Sequence, residues 1–297
     1  MRASAVATAR AFGLQKDQVA LCCLNVAYIA GMMMVVRADE IGMKLVTVEP
    51  ASNPLADFDG HVDFAAFVPL QLQTMLNAGL AHRLNAMKTI IVGGAPVGDS
   101  LLGLIQQNLS VPVYATYGMT ETVSHVAIRR LNGPDKSDSF RFLADIDFGQ
   151  DARGCLWVRG AVTDGALVQT NDVVAFTGQA EFEILGRADN IINSGGLKIQ
   201  LEKVEAGLEK TLSEIAPQHR FFAWWMPDET LGQKLILVLE GNLPAAATDD
   251  FRRKLQQNSH ELSQYEFPKR IFAVDKFIET PTGKINKHAT FAAVALP

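Results

Sequence analysis

Three short stretches of the sequence carry residue types able to bind and activate a phosphate ester. The first is Tyr114-Ala115-Thr116-Tyr117-Gly118-Met119-Thr120-Glu121-Thr122, where an apolar run meets a glycine turn crowded with hydroxyls and one carboxylate. Exposed turn amides and the Thr120 hydroxyl suit a phosphate, and the Glu121 carboxylate suits Mg²⁺. The same residues also make an ordinary polar turn, with Gly118 permitting the bend and Thr120 capping a helix. The second stretch runs from Gly186 to Ile199. Arg187 can fork onto hydroxyls or phosphate, and Gly195-Gly196 permits close approach or positive φ. A linker followed by a glycine hairpin accounts for it equally well. The third is Thr280-Pro281-Thr282-Gly283-Lys284-Ile285-Asn286-Lys287. A lysine on such a turn presents a point charge to phosphate or carboxylate, although most surface lysines carry no such role. It is not a G-x-x-x-x-G-K-[ST] loop, because the leading glycine is missing.

The elements that position these residues follow from pattern. Helical patterns over Ala3–Phe12, Tyr28–Arg37, Leu70–Ala78 and Ser100–Asn108 alternate with strand-like runs at Val19–Leu24, Val46–Val48, Phe64–Val68, Thr89–Val92 and Val111–Ala115. Such alternation predicts a layered α/β domain with a largely parallel sheet, whose ligands sit at the carboxyl ends of strands. After Ser124 short strands between turns, clearest at Cys155–Arg159 and Leu167–Gln169, predict a small β-rich subdomain. From Gly186 onward, a helix over Gln200–Leu212 and another over Asp249–His260 accompany strands at Phe221–Met226, Leu235–Leu239 and Arg270–Val274. This is a C-terminal α+β domain. The boundary is placed at residue 187, giving domains 1–187 and 188–297.

Composition narrows the function classes. Apolar residues make up 48% and charged residues 20% of the 297, and the net charge is −5, so no basic field invites nucleic acid. Cys22, Cys23 and Cys155 have neither disulfide nor zinc-ligand spacing, which predicts a reducing cytoplasm and thiols acting as apolar filler. Val19–Val36 holds no charge, but Asn25 and Gly31 interrupt it, so it is read as a strand followed by a helix rather than a membrane span.

Taken in chain order, YGMTET, a threonine and aspartate in Gln169-Thr170-Asn171-Asp172, GRADNIINSGGLKI and PTGKINK resemble the motif succession of the adenylate-forming superfamily of acyl- and aryl-CoA synthetases, luciferases and peptide-synthetase adenylation domains. The resemblance implies ATP, Mg²⁺ and CoA as co-substrates and cofactor, and two steps. A carboxylate attacks the α-phosphate of ATP to give acyl-AMP, and the CoA thiol then displaces AMP. It implies that Thr120 touches the AMP phosphate and Glu121 holds Mg²⁺. It also implies that Gly93, Gly94, Ala95, Tyr117 and Gly118 line the nucleotide site, and that Asp172 and Arg187 reach the ribose. Asn171 stands where that motif usually carries glycine. Asp189 is the implied hinge, Lys284 the lysine bridging carboxylate and phosphate, and Gly195-Gly196 the lining of a CoA tunnel.

Ala27–Ala38 and Phe67–Leu72, with the extension of YGMTET into Val123-Ser124-His125, resemble the o-succinylbenzoate–CoA ligase family of menaquinone biosynthesis. That likeness implies Tyr28 as a gate beside the acyl pocket and Ser124 and His125 at the succinyl carboxylate. A packed helix histidine is the commoner reading of His125. The family's Ser/Thr/Gly-rich loop ending in Pro-Lys has no counterpart, and Met1–Ala5 resembles the helix after it. A shortened chain is therefore expected, forming acyl-AMP poorly while converting a supplied acyl-AMP. Ligation of another aryl or fatty acid, and a non-catalytic AMP-binding remnant, are the competing readings. A homodimer is compatible with either.

Overall fold

A computed structural model describes residues 1–217, 219–241, 248–258, 262–280 and 285–294. The chain divides into two compact units, Met1–Thr170 with Ala175–Glu183, and Asn171–Val174 with Ile184–Pro297.

The first unit opens with α1 (Arg2–Phe12), β1 (Val19–Cys22), α2 (Ile29–Ile41), β2 (Lys44–Thr47), β3 (Phe64–Phe67), α3 (Pro69–Asn77), α4 (Ala81–Leu84), β4 (Thr89–Val92), α5 (Asp99–Asn108) and β5 (Val113–Gly118). Strands β1 to β5 pair in parallel in the order β2-β1-β3-β4-β5. Side chains alternate between the two faces. Leu21, Phe67, Ile90 and Val92 pack with Leu72, Met75 and Ile105 of α3 and α5, while Ala20, Cys22, Phe64 and Ile91 pack with Met34 and Ala38 of α2. Burial on both faces is what a parallel sheet requires, and it explains why these strands read as continuous apolar runs. Helices α1 and α2 each stop at a glycine with positive φ, Gly13 at 62° and Gly42 at 77°.

The sheet then changes direction. Strands β6 (His125–Arg130), β7 (Phe140–Phe142), β8 (Ile146–Gln150), β9 (Cys155–Gly160), β10 (Val168–Gly178) and β11 (Glu181–Arg187) extend it in the order β5-β6-β7-β11-β10-β9-β8. The joins β5–β6, β6–β7, β7–β11 and β8–β9 are antiparallel. Phe140, Phe142 and Phe182 form the aromatic core of this part, with Phe142 and Phe182 stacked at 4.6 Å. All three cysteines are buried and none is in a disulfide, in keeping with the role of apolar filler.

The second unit contains β12 (Ile191–Ser194), β13 (Leu197–Gln200), α6 (Leu201–Ile215), β14 (Phe221–Asp228), β15 (Gly232–Glu240), α7 (Thr248–Asn258), β16 (Arg270–Val274) and α8 (Lys287–Ala292). Its sheet runs β13-β12-β15-β14, with β16 parallel to β15. Val204, Leu208 and Leu212 of α6 pack on Ala223, Leu235, Leu237 and Leu239. Glu205 accepts hydrogen bonds from the Ala223 amide (2.8 Å) and Lys287 Nζ (2.6 Å), so one carboxylate ties α6, β14 and α8 together. Among the described residues no helix is long and apolar enough to cross a membrane, and the uncharged Val19–Val36 stretch is divided between β1 and α2.

Candidate active site

At the carboxyl end of β4, the Gly93 amide donates to Phe67 O at 3.1 Å. A Cβ on Gly93 would stand 2.3 Å from Thr116 Oγ1, so a larger residue there requires the Thr116 hydroxyl to move, and Gly94 follows at φ 85°. Ala95 lies on the same exposed loop. Tyr117, next on β5, is buried, its ring edge-on to Phe182 at 5.3 Å and tilted against Phe140 at 6.0 Å. It therefore enters the aromatic core rather than standing open on the surface.

The turn after β5 is built from its own side chains. Residues Thr120–Thr122 form a single 3₁₀ turn, with Thr120 and Glu121 exposed and Thr122 fully buried. Thr122 Oγ1 accepts from the Met119 amide (3.0 Å) and lies 3.0 Å from Met119 O and 2.7 Å from Ser124 O, pinning both arms of the loop. Val123 has φ 65° and ψ −48°, and the Ser124 amide donates across it to Thr122 O at 2.7 Å. That is a tight positive-φ γ-turn, a strained conformation for a β-branched residue. Thr120 thus opens a 3₁₀ turn instead of capping an α-helix.

Beyond the turn, His125 begins strand β6, which corrects the expectation of a packed helix histidine. The local run of polar residues reads as a helix start, but pairing of Gly118 with His125 across the antiparallel join decides the matter. His125 is 5% exposed, and burial, followed by the nearby Arg37 charge, pushes its pKa down to about 3. Its imidazole is neutral.

Arg37 is the residue that pattern reading passed over. It lies on the buried face of α2 with Met33 and Met34, and is 2% exposed. Its Nη2 donates to Ser124 Oγ at 2.6 Å and its Nε to Thr8 Oγ1 at 3.3 Å, while Nη1 faces Met34 Sδ at 3.7 Å. No carboxylate among the described residues pairs with it, and burial lowers its pKa to about 10. A guanidinium out of water without a counter-ion is costly, so among the described residues this positive charge is unbalanced. The signal in the sequence was spacing: Arg37 falls three and four residues after two buried methionines. Tyr28 sits at the N-cap of the same helix, 40% exposed.

The second unit holds another group of expected residues. Arg187 donates bidentately to Asp189 (Nε to Oδ1 2.9 Å, Nη2 to Oδ2 2.7 Å) and through Nη1 to Asp172 Oδ1 at 3.1 Å. The Arg187 guanidinium, chiefly through these hydrogen bonds, holds the Asp189 carboxyl below its usual range. Gly195 and Gly196, at φ 61° and 85°, form the two-residue turn between β12 and β13, where two positive φ values match the strand twist. The Gly195 amide donates to Leu231 O at 2.8 Å. Lys284 lies outside the described residues. The flanking chain is fastened by a bridge between Glu279 and Ile285 and by the Asn286 amide donating to Ile278 O at 2.8 Å.

The described residues contain no cluster of three metal-ligating side chains. Glu121 is nevertheless an exposed carboxylate at the carboxyl end of a sheet strand. One such oxygen donor fits Mg²⁺, which keeps its waters and takes its remaining ligands from substrate phosphates.

Residues 1–142 match the AMP-binding enzyme family. An acyl-CoA synthetase (AMP-forming)/AMP-acid ligase II-like protein from Dyadobacter fermentans is 45% identical, with a TM-score of 0.62 over 98% of this chain and 82% of that one. A 2-succinylbenzoate–CoA ligase from Staphylococcus aureus is 26% identical over 97% of this chain. The o-succinylbenzoate coenzyme A synthetase from Bacillus subtilis, solved with ATP and magnesium ion, shares the fold at 20% identity and a TM-score of 0.76, over 97% of this chain and 64% of that one. The chain spans 62% of the length of the S. aureus ligase. With a relative at 45% identity covered over most of its length, and with its own strand-end loops arranged as described, the chain belongs to the AMP-binding enzyme family of adenylate-forming ligases.

Proposed function

We propose that this chain serves an acid–CoA ligase that works through an acyl-adenylate, and that the acid is a dicarboxylate, o-succinylbenzoate, on the route to menaquinone. One observation carries the choice of acid: Arg37 is buried, has no carboxylate partner among the described residues, and is hydrogen-bonded to Ser124, beside the turn that bears Thr120 and Glu121. An acid with a second carboxylate supplies the missing counter-charge and takes the remaining guanidinium N–H groups in a fork. Names of relatives support the same acid.

In this reading, Thr120 donates to the AMP phosphate and Glu121 holds Mg²⁺, with Gly93, Gly94, Ala95, Tyr117 and Gly118 shaping the nucleotide site. The chemistry supplied by Mg²⁺ held at Glu121 would be neutralisation of phosphate charge. Asp172 accepts the ribose hydroxyls and Arg187 orients it. Lys284 places its ammonium between attacking carboxylate and α-phosphate, an electrostatic contribution to the adenylation step. Rotation about Asp189 then brings Gly195 and Gly196 to the CoA arm, and Tyr28 gates the acyl pocket. ATP, CoA and the acid are the partners.

The test is thioester formation from o-succinylbenzoyl-AMP and CoA, and in parallel from o-succinylbenzoate, ATP, Mg²⁺ and CoA. A panel of monocarboxylic aryl and fatty acids runs alongside, with wild type and Arg37→Met. Turnover of the dicarboxylate species by wild type, with loss of preference in Arg37→Met, is the expected result. Preference for a monocarboxylic acid overturns the choice of acid, and turnover of nothing overturns the ligase reading.

A further inference from the structure

Resting on the acid-binding role given above to Arg37, we propose that Thr8 is a positioning residue, which fixes the Arg37 guanidinium through a directed ring of hydrogen bonds and holds His125 as its neutral Nε2–H tautomer.

Thr8 Oγ1 has one proton and lies 2.9 Å from the Ser4 carbonyl oxygen, the i−4 acceptor on its own helix, to which it donates. The oxygen must therefore accept from its two other neighbours, Arg37 Nε at 3.3 Å and His125 Nε2 at 3.4 Å. A proton on Nε2 leaves Nδ1 as an acceptor, and Ser124 Oγ stands 3.4 Å from it. Ser124 Oγ in turn accepts from Arg37 Nη2 at 2.6 Å. The ring closes: Arg37 donates to Ser124, Ser124 to His125, His125 to Thr8, and Arg37 again to Thr8. Each hydroxyl spends its single proton once, and no member competes with another.

The alternative arrangements fail on charge and on direction. An imidazolium would present Nδ1–H to Ser124 and force that hydroxyl proton elsewhere. It would also place a second positive charge beside Arg37, where no described carboxylate compensates either one. The opposite neutral tautomer would set a bare Nε2 lone pair against Thr8 Oγ1, whose proton is already given to Ser4. Arg37 is held at two points, Nε by α1 and Nη2 by the turn after β5. Two anchors stop rotation of the planar guanidinium, so its remaining N–H groups keep one direction for an incoming carboxylate. Remove Thr8, and only Ser124 fixes the plane.

Thr8→Val keeps the shape and removes the acceptor, and Thr8→Ser keeps the acceptor. The first readout is the ring ¹⁵N spectrum of histidine-labelled full chain, with His125 assigned by comparison with His125→Gln. Wild type and Thr8→Ser should show one Nε2–H tautomer that does not titrate between about pH 5.5 and 8. Thr8→Val should show loss of that single form. An Nδ1–H tautomer, titration in that range, or an unchanged Thr8→Val spectrum would overturn the proposal. The second readout is kinetic. With o-succinylbenzoyl-AMP and CoA, Thr8→Val should raise KM roughly tenfold and leave kcat within about twofold, with Thr8→Ser restoring wild-type values. The matched adenylate with hydrogen in place of the second carboxylate should be insensitive. Equal KM increases on both adenylates would overturn the positioning role. Failure of wild type on both would overturn the ligase reading instead, leaving the tautomer spectra to decide the ring.

Discussion

Gly118 lies flat against the backbone of Ser124: a Cβ there would meet the Ser124 carbonyl oxygen at 2.3 Å and the His125 Cα at 2.6 Å. The contact closes the neck of the Thr120–Glu121 turn at the register shift between Tyr117 and Gly118. Because the obstacle is backbone, Gly118→Ala cannot be absorbed by a rotamer change. It should cost about 2 kcal/mol of stability, as overpacking does. Differential scanning calorimetry together with thioester formation checks this, and activity should fall further than the residual folded fraction accounts for.

Arg37→Met should separate stability from activity. Replacing a buried ion by an apolar side chain of similar volume is often neutral or stabilising, and no partner charge among the described residues is stranded. The variant should unfold at higher denaturant, by about 1 kcal/mol, while turnover of the dicarboxylate adenylate drops. A marked loss of stability would mean that Arg37 has a counter-ion in the protein.

The second unit has its own pH signature. Arg220 donates to Glu240 through Nε (2.6 Å) and Nη2 (2.8 Å), and the Phe277 amide adds 2.8 Å to Oε1. The Arg220 hydrogen bonds hold the Glu240 carboxyl down at about 2, below its usual 4.5. A depressed folded pKa means that stability from this pair is complete above about 4.5 and lost as pH falls toward 2. Glu240→Gln should therefore destabilise by about 1 kcal/mol at neutral pH, a discounted figure because Arg220 is half-exposed. Urea titrations should converge with wild type near pH 2. A constant difference across the range would remove the pair from the acid limb.

Lys284→Ala addresses the proposed division of labour between half-reactions. If Lys284 supplies the proposed charge in the adenylation step, its loss should slow acyl-AMP formation by about a hundredfold or more. Thioester formation from supplied acyl-AMP should change little. Equal slowing of both steps, measured by pyrophosphate release and by CoA consumption, would remove Lys284 from the adenylation step.

Much of the layered α/β unit was legible in sequence. Thr89–Val92 and Arg270–Val274 begin and end where the pattern placed them, the first because a wholly apolar run is halted by Gly93-Gly94. Helix α2 ran four residues past Arg37, since nothing in Ala38–Ile41 opposes a helix before Gly42. His125 was harder. Its strand depends on pairing across a turn whose centre, Val123, adopts a conformation that valine propensity argues against. The Arg37–Ser124 contact joins residues 87 apart in sequence, and no local window contains both. What pattern reading misses at this site is mostly long-range, and the buried charge is its largest part.

That charge has a thermodynamic corollary. The described oxygen partners of Arg37 are neutral hydroxyls, so under the proposed function an acid bound at Arg37 would complete the charge balance of the native state. Binding and folding then become one linked equilibrium, and a ligand at a hundred times its Kd adds about 2.7 kcal/mol to stability. Since steady-state levels of marginally stable proteins follow their unfolded fraction, abundance of this protein in the cell should rise and fall with the supply of its acid.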